Sequence, residues 1–352
     1  MRDKETARAI AGDESFVRPP AVDPAATLTV VRVPREWARW RLDRVVVQTF
    51  QRMSRTRAQV VVTTGAYTPK GRKLRSNDRV REGDVILLWR PPFEEPDVPL
   101  DCPVVHEDER LLAIDKPSGL PVHPTARYHH KTVTAVLART RPGEMLALCH
   151  RIDRETSGVL LLAKDRDTER FIKRILEERD DGRYKVDKTY LAITWGVPAE
   201  ERFRLDFALK LDERHRYRVK MRVGDGEVDA LSAATRFAVL GVRAHPSDPS
   251  RRYALVRCEL ETGRQHQIRA HLAAIGTPIV GDKLYGPDEE LFARGADGTL
   301  TEEDLTVLEL PRHALHAHEL VLPDPRNHAE RVTITSQLPG DLARFWDGLV
   351  ES

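Results

Sequence analysis

The sequence predicts an α+β protein, a mixed, largely antiparallel sheet flanked by helices, preceded by a small N-terminal α/β domain. Three observations carry that expectation. The 352 residues exceed one ordinary core and suit two domains of roughly 100–200 residues each. From about residue 104 onward, strand-like and helix-like stretches follow one another without strict alternation, which favours a mixed or antiparallel sheet over repeated βαβ units. Charge is also unevenly spread: Arg35 to Arg90 holds fourteen Lys/Arg and five Asp/Glu, a net +9, leaving −7 for the rest of the chain. A basic block on a less basic body suggests a module facing a polyanion such as nucleic acid, with a solvated basic face as the plainer alternative.

Residues 1–28 read as a disordered tail that lacks the apolar stretch of a signal peptide. Residues 29–90 form the small domain. In "WARWRLDRVVVQTF", Trp40, Val45, Val46 and Phe50 share one helical face. "SRTRAQVVV" predicts a second helix with Ser54 as N-cap and Arg55 and Arg57 in its first turn. Cations there oppose the helix macrodipole, whereas a phosphate would meet both the arginines and the free backbone N–H groups. Short strand-like runs follow, punctuated by turns at Gly65, Gly71 and Gly83-Asp84. Proline-rich residues 91–103 read as an extended linker, and 104–352 as the larger domain. There "VVHEDERLLAIDKP" predicts strand, turn and strand, and "DTERFIKRILEERD" a helix with acids at its start. "KTYLAITWGV" and "RYALVRCELET" read as strands, and "RQHQIRAHLAAIG" as a helix closed by Gly276.

Composition excludes several classes. Hydrophobic residues at 40% allow a sizeable core, while 32% charged residues and no apolar run near the roughly 20 that span a bilayer indicate a soluble protein. Cys102, Cys149 and Cys258 are odd in number, far apart and without a CxxC pair, so neither a disulfide framework nor a thiolate zinc site is expected. The reducing cytoplasm is the expected compartment. The histidines at 129, 130, 266, 271, 313, 316 and 318 include no HExxH arrangement, so no metal is assigned. "DKPSG" lacks a phosphate-loop pattern, so no nucleotide cofactor is assigned either.

Four separated stretches combine acids, arginines and small turn residues beside apolar strands. They are "DKPSGLPVHP" (115–124), "HRIDRETSG" (150–158), "KTYLAI" (188–193) and "LETGRQHQIRAHLAAIGTPIVGDKLYG" (260–286). In their order and spacing they closely resemble the RluA-type family of pseudouridine synthases, from about Val104 to Leu322 and including "RHALHA" at 312–317. Ile152, where Leu is more usual, keeps the volume. The N-terminal domain resembles the alpha-L RNA-binding motif through Arg41-Leu42-Asp43, Ser54 to Ala58, Gly65 and Gly83-Asp84, although its Gly65–Arg75 segment departs from the usual strand-turn-strand pattern.

The resemblance implies a pseudouridine-synthase-like fold that isomerises uridines in structured RNA, with large-subunit ribosomal RNA first and transfer RNA second as substrate. It implies Asp153 as the catalytic aspartate, Tyr190 against the uracil ring and Arg269 paired with Asp153. Leu260 would pack beside the same pocket, and Arg154 would help open the RNA stack. His150, Arg151, Arg264 and His266 complete the implied substrate contacts. Arg41, Arg55, Arg57, Lys70, Arg72 and Lys73 are those of the small domain. No protein partner is inferred.

The chemistry fits those residue types. The isomerisation breaks an N-glycosidic bond, turns the base and joins carbon to the same sugar, with no redox change, so no cofactor is required. An ionised aspartate can act at the ribose as nucleophile or base. Burial alone would raise its pKa, and a fixed guanidinium such as that of Arg269 opposes the shift. Plainer readings are a structural salt bridge of Asp153 with Arg151 or Arg154, a core Tyr190 and a surface Arg269. Two rival functions stand beside this one. A glycosidic hydrolase would use Glu155 as its second carboxylate, and an RNA-binding assembly factor would have weak or no catalysis. The acidic segment 288–305 suggests no role.

Overall fold

A computed structural model describes residues 16, 18–24, 26–50, 55–90, 95–125, 127–177, 184–215, 217 and 219–351. The chain divides into two compact units, Met1–Glu94 and Glu95–Ser352.

The first unit runs β1 (Thr27–Arg32), a 3-10 turn (Arg35–Trp37), α1 (Leu42–Phe50), α2 (Arg55–Gly65), β2 (Ala66–Tyr67) and β3 (Val85–Arg90). β3 lies between β1 and β2, antiparallel to both. Alternation along β3 divides its side chains between two apolar layers. Ile86 and Leu88 meet Leu42, Val45 and Val46 of α1 and Ala58 and Val62 of α2, with Trp40 and Phe50 at the margin. Leu87 and Trp89 are covered instead by Tyr67 and Val22. The tail is therefore shorter than the expected residues 1–28. Val22 is buried because that second face needs a cover, and β1 already begins at Thr27. The tail up to residue 15 and the expected cap Ser54 lie outside the described residues.

The second unit opens with β4 (Val104–Glu107), β5 (Leu111–Lys116), α3 (Val133–Thr140), β6 (Ala147–Leu148), β7 (Ser157–Ala163), α4 (Arg166–Glu177) and β8 (Asp187–Trp195). It continues with β9 (Arg202–Leu205), β10 (Leu209–Leu211), β11 (Met221–Val223), β12 (Thr235–His245), β13 (Asp248–Leu260) and α5 (Gln267–Ala274). α6 (Glu290–Asp297), α7 (Glu302–Leu308), β14 (Leu315–Pro323), β15 (Arg331–Thr335), α8 (Gly340–Asp347) and β16 (Val350–Glu351) complete it. Eleven strands form one sheet along β16-β12-β13-β8-β14-β7-β5-β4, with β15 beside β14, β6 beside β7 and β9 beside β12. Only the β14–β7 pairing in this sheet is parallel among the described residues, as the largely antiparallel expectation requires.

"SGVLLLA" of β7 is apolar without alternation because both its faces are covered. Val159 and Leu161 meet Ile172 and Ile175 of α4, while Leu160 and Leu162 meet Val133 and Leu137 of α3. Residues 95–103, expected as linker, are tied to this unit. The Glu95 carboxylate accepts the backbone N–H groups of His129, His130 and Lys131 at 2.7 Å each, and Val98 and Cys102 pack on the α3 layer. The acidic segment 288–305 folds into α6 and α7, held by a Thr301–Asp304 capping box and by Arg294 on Asp304. Its Glu289 pairs with His215 and Lys220 of the loop between β10 and β11.

Candidate active site

The loop 150–158 runs straight into β7, and a glycine fixes where it lands. Gly158 adopts φ +109, and a Cβ there would lie 2.2 Å from the Ala317 carbonyl oxygen of β14. Below the loop, Lys116 of β5 is fully buried. Its ammonium donates to the carbonyls of Pro117, Leu120 and Arg154 at 2.8, 2.9 and 2.9 Å, bracing the loop that carries Asp153. Desolvation lowers the Lys116 pKa to about 7.

Asp153 faces a cavity of about 380 Å³ whose walls include Arg151, Tyr190, Leu260, Arg264, His266 and Arg269. Arg269 comes from α5, where the sequence expected a helix. Its Nη1 donates to Asp153 Oδ2 at 2.9 Å, while Nε and Nη2 hold Asp282 bidentately at 2.6 and 2.8 Å. The guanidinium also lies over the Tyr285 ring, 5.1 Å from its centroid. Asp282 accepts the backbone N–H groups of Leu284 and Tyr285, so it cannot turn away. Gly281 sets up that turn at φ +75, with the Arg312 carbonyl only 2.0 Å from where a Cβ would stand. Arg269 is therefore an anchored cation rather than a surface arginine, its side chain 7% exposed.

Burial opposes ionisation of Asp153, yet its pKa falls below the ordinary carboxylate value because His266, Arg269 and His313 outweigh it. Both imidazoles are themselves driven neutral by burial, to about 4 for His266 and about 3 for His313. Arg269 is thus the cation that persists at neutral pH. Asp153 keeps 30% of its side-chain surface open toward the cavity, whereas Asp282 has none.

Tyr190 sits on β8 between Cys258 of β13 and Ala317 of β14. Burial and the Asp153 charge raise its pKa, so its hydroxyl stays protonated. His266 opens α5 in the left-handed region at φ 55, a conformation that costs a non-glycine residue energy and turns its ring inward. Its Nε2 stands 3.9 Å from Asp153 Oδ2 and its Nδ1 meets the Tyr285 hydroxyl at 3.1 Å. That hydroxyl also accepts the Met221 N–H of β11, at 2.8 Å.

The structure thus brings Asp153, Tyr190, Arg269, Arg151, Leu260, Arg264 and His266 to one cavity. His150 and Arg154 lie outside its wall. His150 Nε2 accepts the Leu161 N–H at 3.1 Å, and burial drives it neutral, to about 3. Arg154 turns to the Tyr128 hydroxyl at 3.2 Å and to Glu155 at 3.1 Å. Asp282, Tyr285 and Lys116 were missed as site supports, although all three stand in the quoted motif stretches.

In the first unit, Arg41 and Arg55 both turn to the fully buried Asp43, at 3.0 and 3.3 Å, and Gln59 adds a third hydrogen bond at 3.2 Å. The cationic start of α2 is therefore met in part from inside the protein. Arg57, Lys70, Arg72 and Lys73 are exposed. Arg41 and Arg55 line a hollow of about 340 Å³ with Trp40, Arg44 and Arg79, the last two unforeseen.

The site is thus a buried guanidinium holding a cavity-facing aspartate, beside a tyrosine and on a largely antiparallel sheet, and its class comes from the comparisons. Residues 110–274 match the family of RNA pseudouridylate synthases. The chain belongs to that family and is an RNA pseudouridine synthase. It is 32% identical to the ribosomal large subunit pseudouridine synthase D of Xanthomonas campestris pv. campestris, over 91% of this chain and 92% of the relative. The enzyme of the same name from Pseudomonas aeruginosa is 33% identical over 88% and 92%. Among solved structures, human RNA pseudouridylate synthase domain containing 4 superposes with a TM-score of 0.52 at 28% identity, covering 70% of this chain and 92% of that one.

Proposed function

We propose that the cavity receives one uridine swung out of an RNA stack, and that Asp153 works on it at the ribose as nucleophile or base. The N1–C1′ bond breaks, the base turns and a C5–C1′ bond forms. The C5 proton leaves and N1 gains one, so the reaction balances without a co-reactant. The Tyr190 ring offers a flat face that holds the pyrimidine in either orientation. Arg154 would leave Tyr128 and Glu155 to fill the gap in the stack. The observation that carries this reading is the 2.9 Å bond from an Asp282-anchored Arg269 to Asp153, which keeps a sheltered carboxylate ionised.

We further propose large-subunit ribosomal RNA as the substrate, on the names of the bacterial relatives, with the first unit as its phosphate-binding module. A hydrolase would need a second facing carboxylate. Both Glu155 oxygens instead receive the Lys283 ammonium at 3.0 Å, which counts against that rival.

The test uses transcribed large-subunit ribosomal RNA carrying uridine tritiated at carbon 5. Release of tritium with the base retained is expected from the native enzyme and none from Asp153→Asn. Free uracil would show hydrolysis, and release from transfer RNA transcripts alone would move the substrate assignment.

A further inference from the structure

Lys188 stands two residues before Tyr190 on β8, so both side chains leave the same face of the strand, about 7 Å apart along it. Beside the Asp153 cavity runs a larger groove of about 820 Å³, and Leu260 and Gly263 form part of both walls. The Lys188 ammonium sits at that junction, 3.3 Å from where a Cβ on Gly263 would lie.

The other cations of the groove have carboxylate partners. Lys185 pairs with Asp187 at 2.6 Å, and Arg257 with Glu259 at 3.1 Å. Arg204 and Arg236 both pair with Glu261, at 3.0 and 2.8 Å. Among the described residues Lys188 makes no ion pair and no side-chain hydrogen bond. It is half-buried, and desolvation lowers its pKa without a carboxylate to offset it. A partly desolvated ammonium is costly to keep unless an anion completes it.

We infer that Lys188 holds a backbone phosphate of the RNA beside the uridine in the Asp153 cavity, so that the strand leaves the cavity along this groove. The inference rests on the uridine reading above and adds the seat of the backbone to it. An ammonium is a point charge, so it accepts a phosphate whichever of its oxygens is presented.

The experiment compares native enzyme, Lys188→Met and Lys188→Arg on transcribed large-subunit ribosomal RNA, reading Kd over a salt series, pseudouridine formed and Tm. Lys188→Met is expected to weaken binding about tenfold at low salt, with no loss of Tm. The slope of log Kd against log salt should fall by about one, and Lys188→Arg should restore it. An unchanged slope with lowered Tm would assign Lys188 to the fold and overturn the inference. Pseudouridine formation by the native enzyme reports separately on the uridine reading: without product the inference falls with it, and with product an unchanged slope removes the inference alone.

Discussion

Each unit contains a buried carboxylate clasped by arginine, and the two clusters differ in arithmetic. In the second unit one guanidinium, Arg269, serves two carboxylates, Asp153 and Asp282. A surplus negative charge is left over, and it lies on the carboxylate that opens to the cavity. In the first unit two guanidiniums, Arg41 and Arg55, serve one carboxylate, Asp43. The surplus there is positive and reaches water, with side-chain exposures of 38% and 64%. The same ion pair can therefore hold an anion ready for chemistry or present cations to an anionic partner. Which of the two results depends on whether acid or base is in excess and on which partner is exposed.

Breaking the excess on the catalytic side should have the largest effect. Asp153→Asn is expected to lower kcat by about a thousandfold or more while the melting temperature holds, since only the group proposed to react is lost. Arg269→Met strands two carboxylates, one of them fully buried. It should cost about 3–5 kcal/mol in urea unfolding and abolish activity with it. On the other side, Asp43→Asn should raise KM for RNA and loosen the first unit, leaving kcat alone. Exposed arginines can turn to water, so the stability loss should be smaller than for Arg269→Met.

Acid sharpens the comparison further. His150, His266 and His313 have pKa values lowered from 6.5 to about 3, about 4 and about 3. An unfolded chain binds those protons first, so their contribution is complete above pH 6.5 and is lost as pH falls toward 4 and below. All three belong to the second unit, so urea midpoints from pH 7 to pH 4 should fall for that unit.

Much of this was legible in the residues. "KTYLAITWGV", "RYALVRCELET" and "RQHQIRAHLAAIG" each produced the expected element, and the aspartate and arginine of separate motifs met at bonding distance. Less legible was whatever depends on three-dimensional neighbours. Nothing in "DKPSG" says that its lysine is spent on three carbonyls, nor does "GDKLYG" say that its aspartate anchors Arg269 from a turn. Residues 95–103 are proline-rich and look like linker, yet Glu95 secures them through backbone N–H groups that leave no mark in side-chain identity. His150 and Arg154 lie within four residues of Asp153, but the tight loop turns them away from the cavity.

The most direct test is the titration of the Asp153 carboxyl by carbon-13 NMR on aspartate-labelled enzyme, assigned by its loss in Asp153→Asn. A midpoint below 3.8 in the native enzyme is expected, because His266, Arg269 and His313 together outweigh the cost of burial at that oxygen pair, with Arg269 the one anchored to Asp282. A midpoint at or above that value would mean the cavity favours a neutral acid, and the proposed role of Arg269 would be wrong.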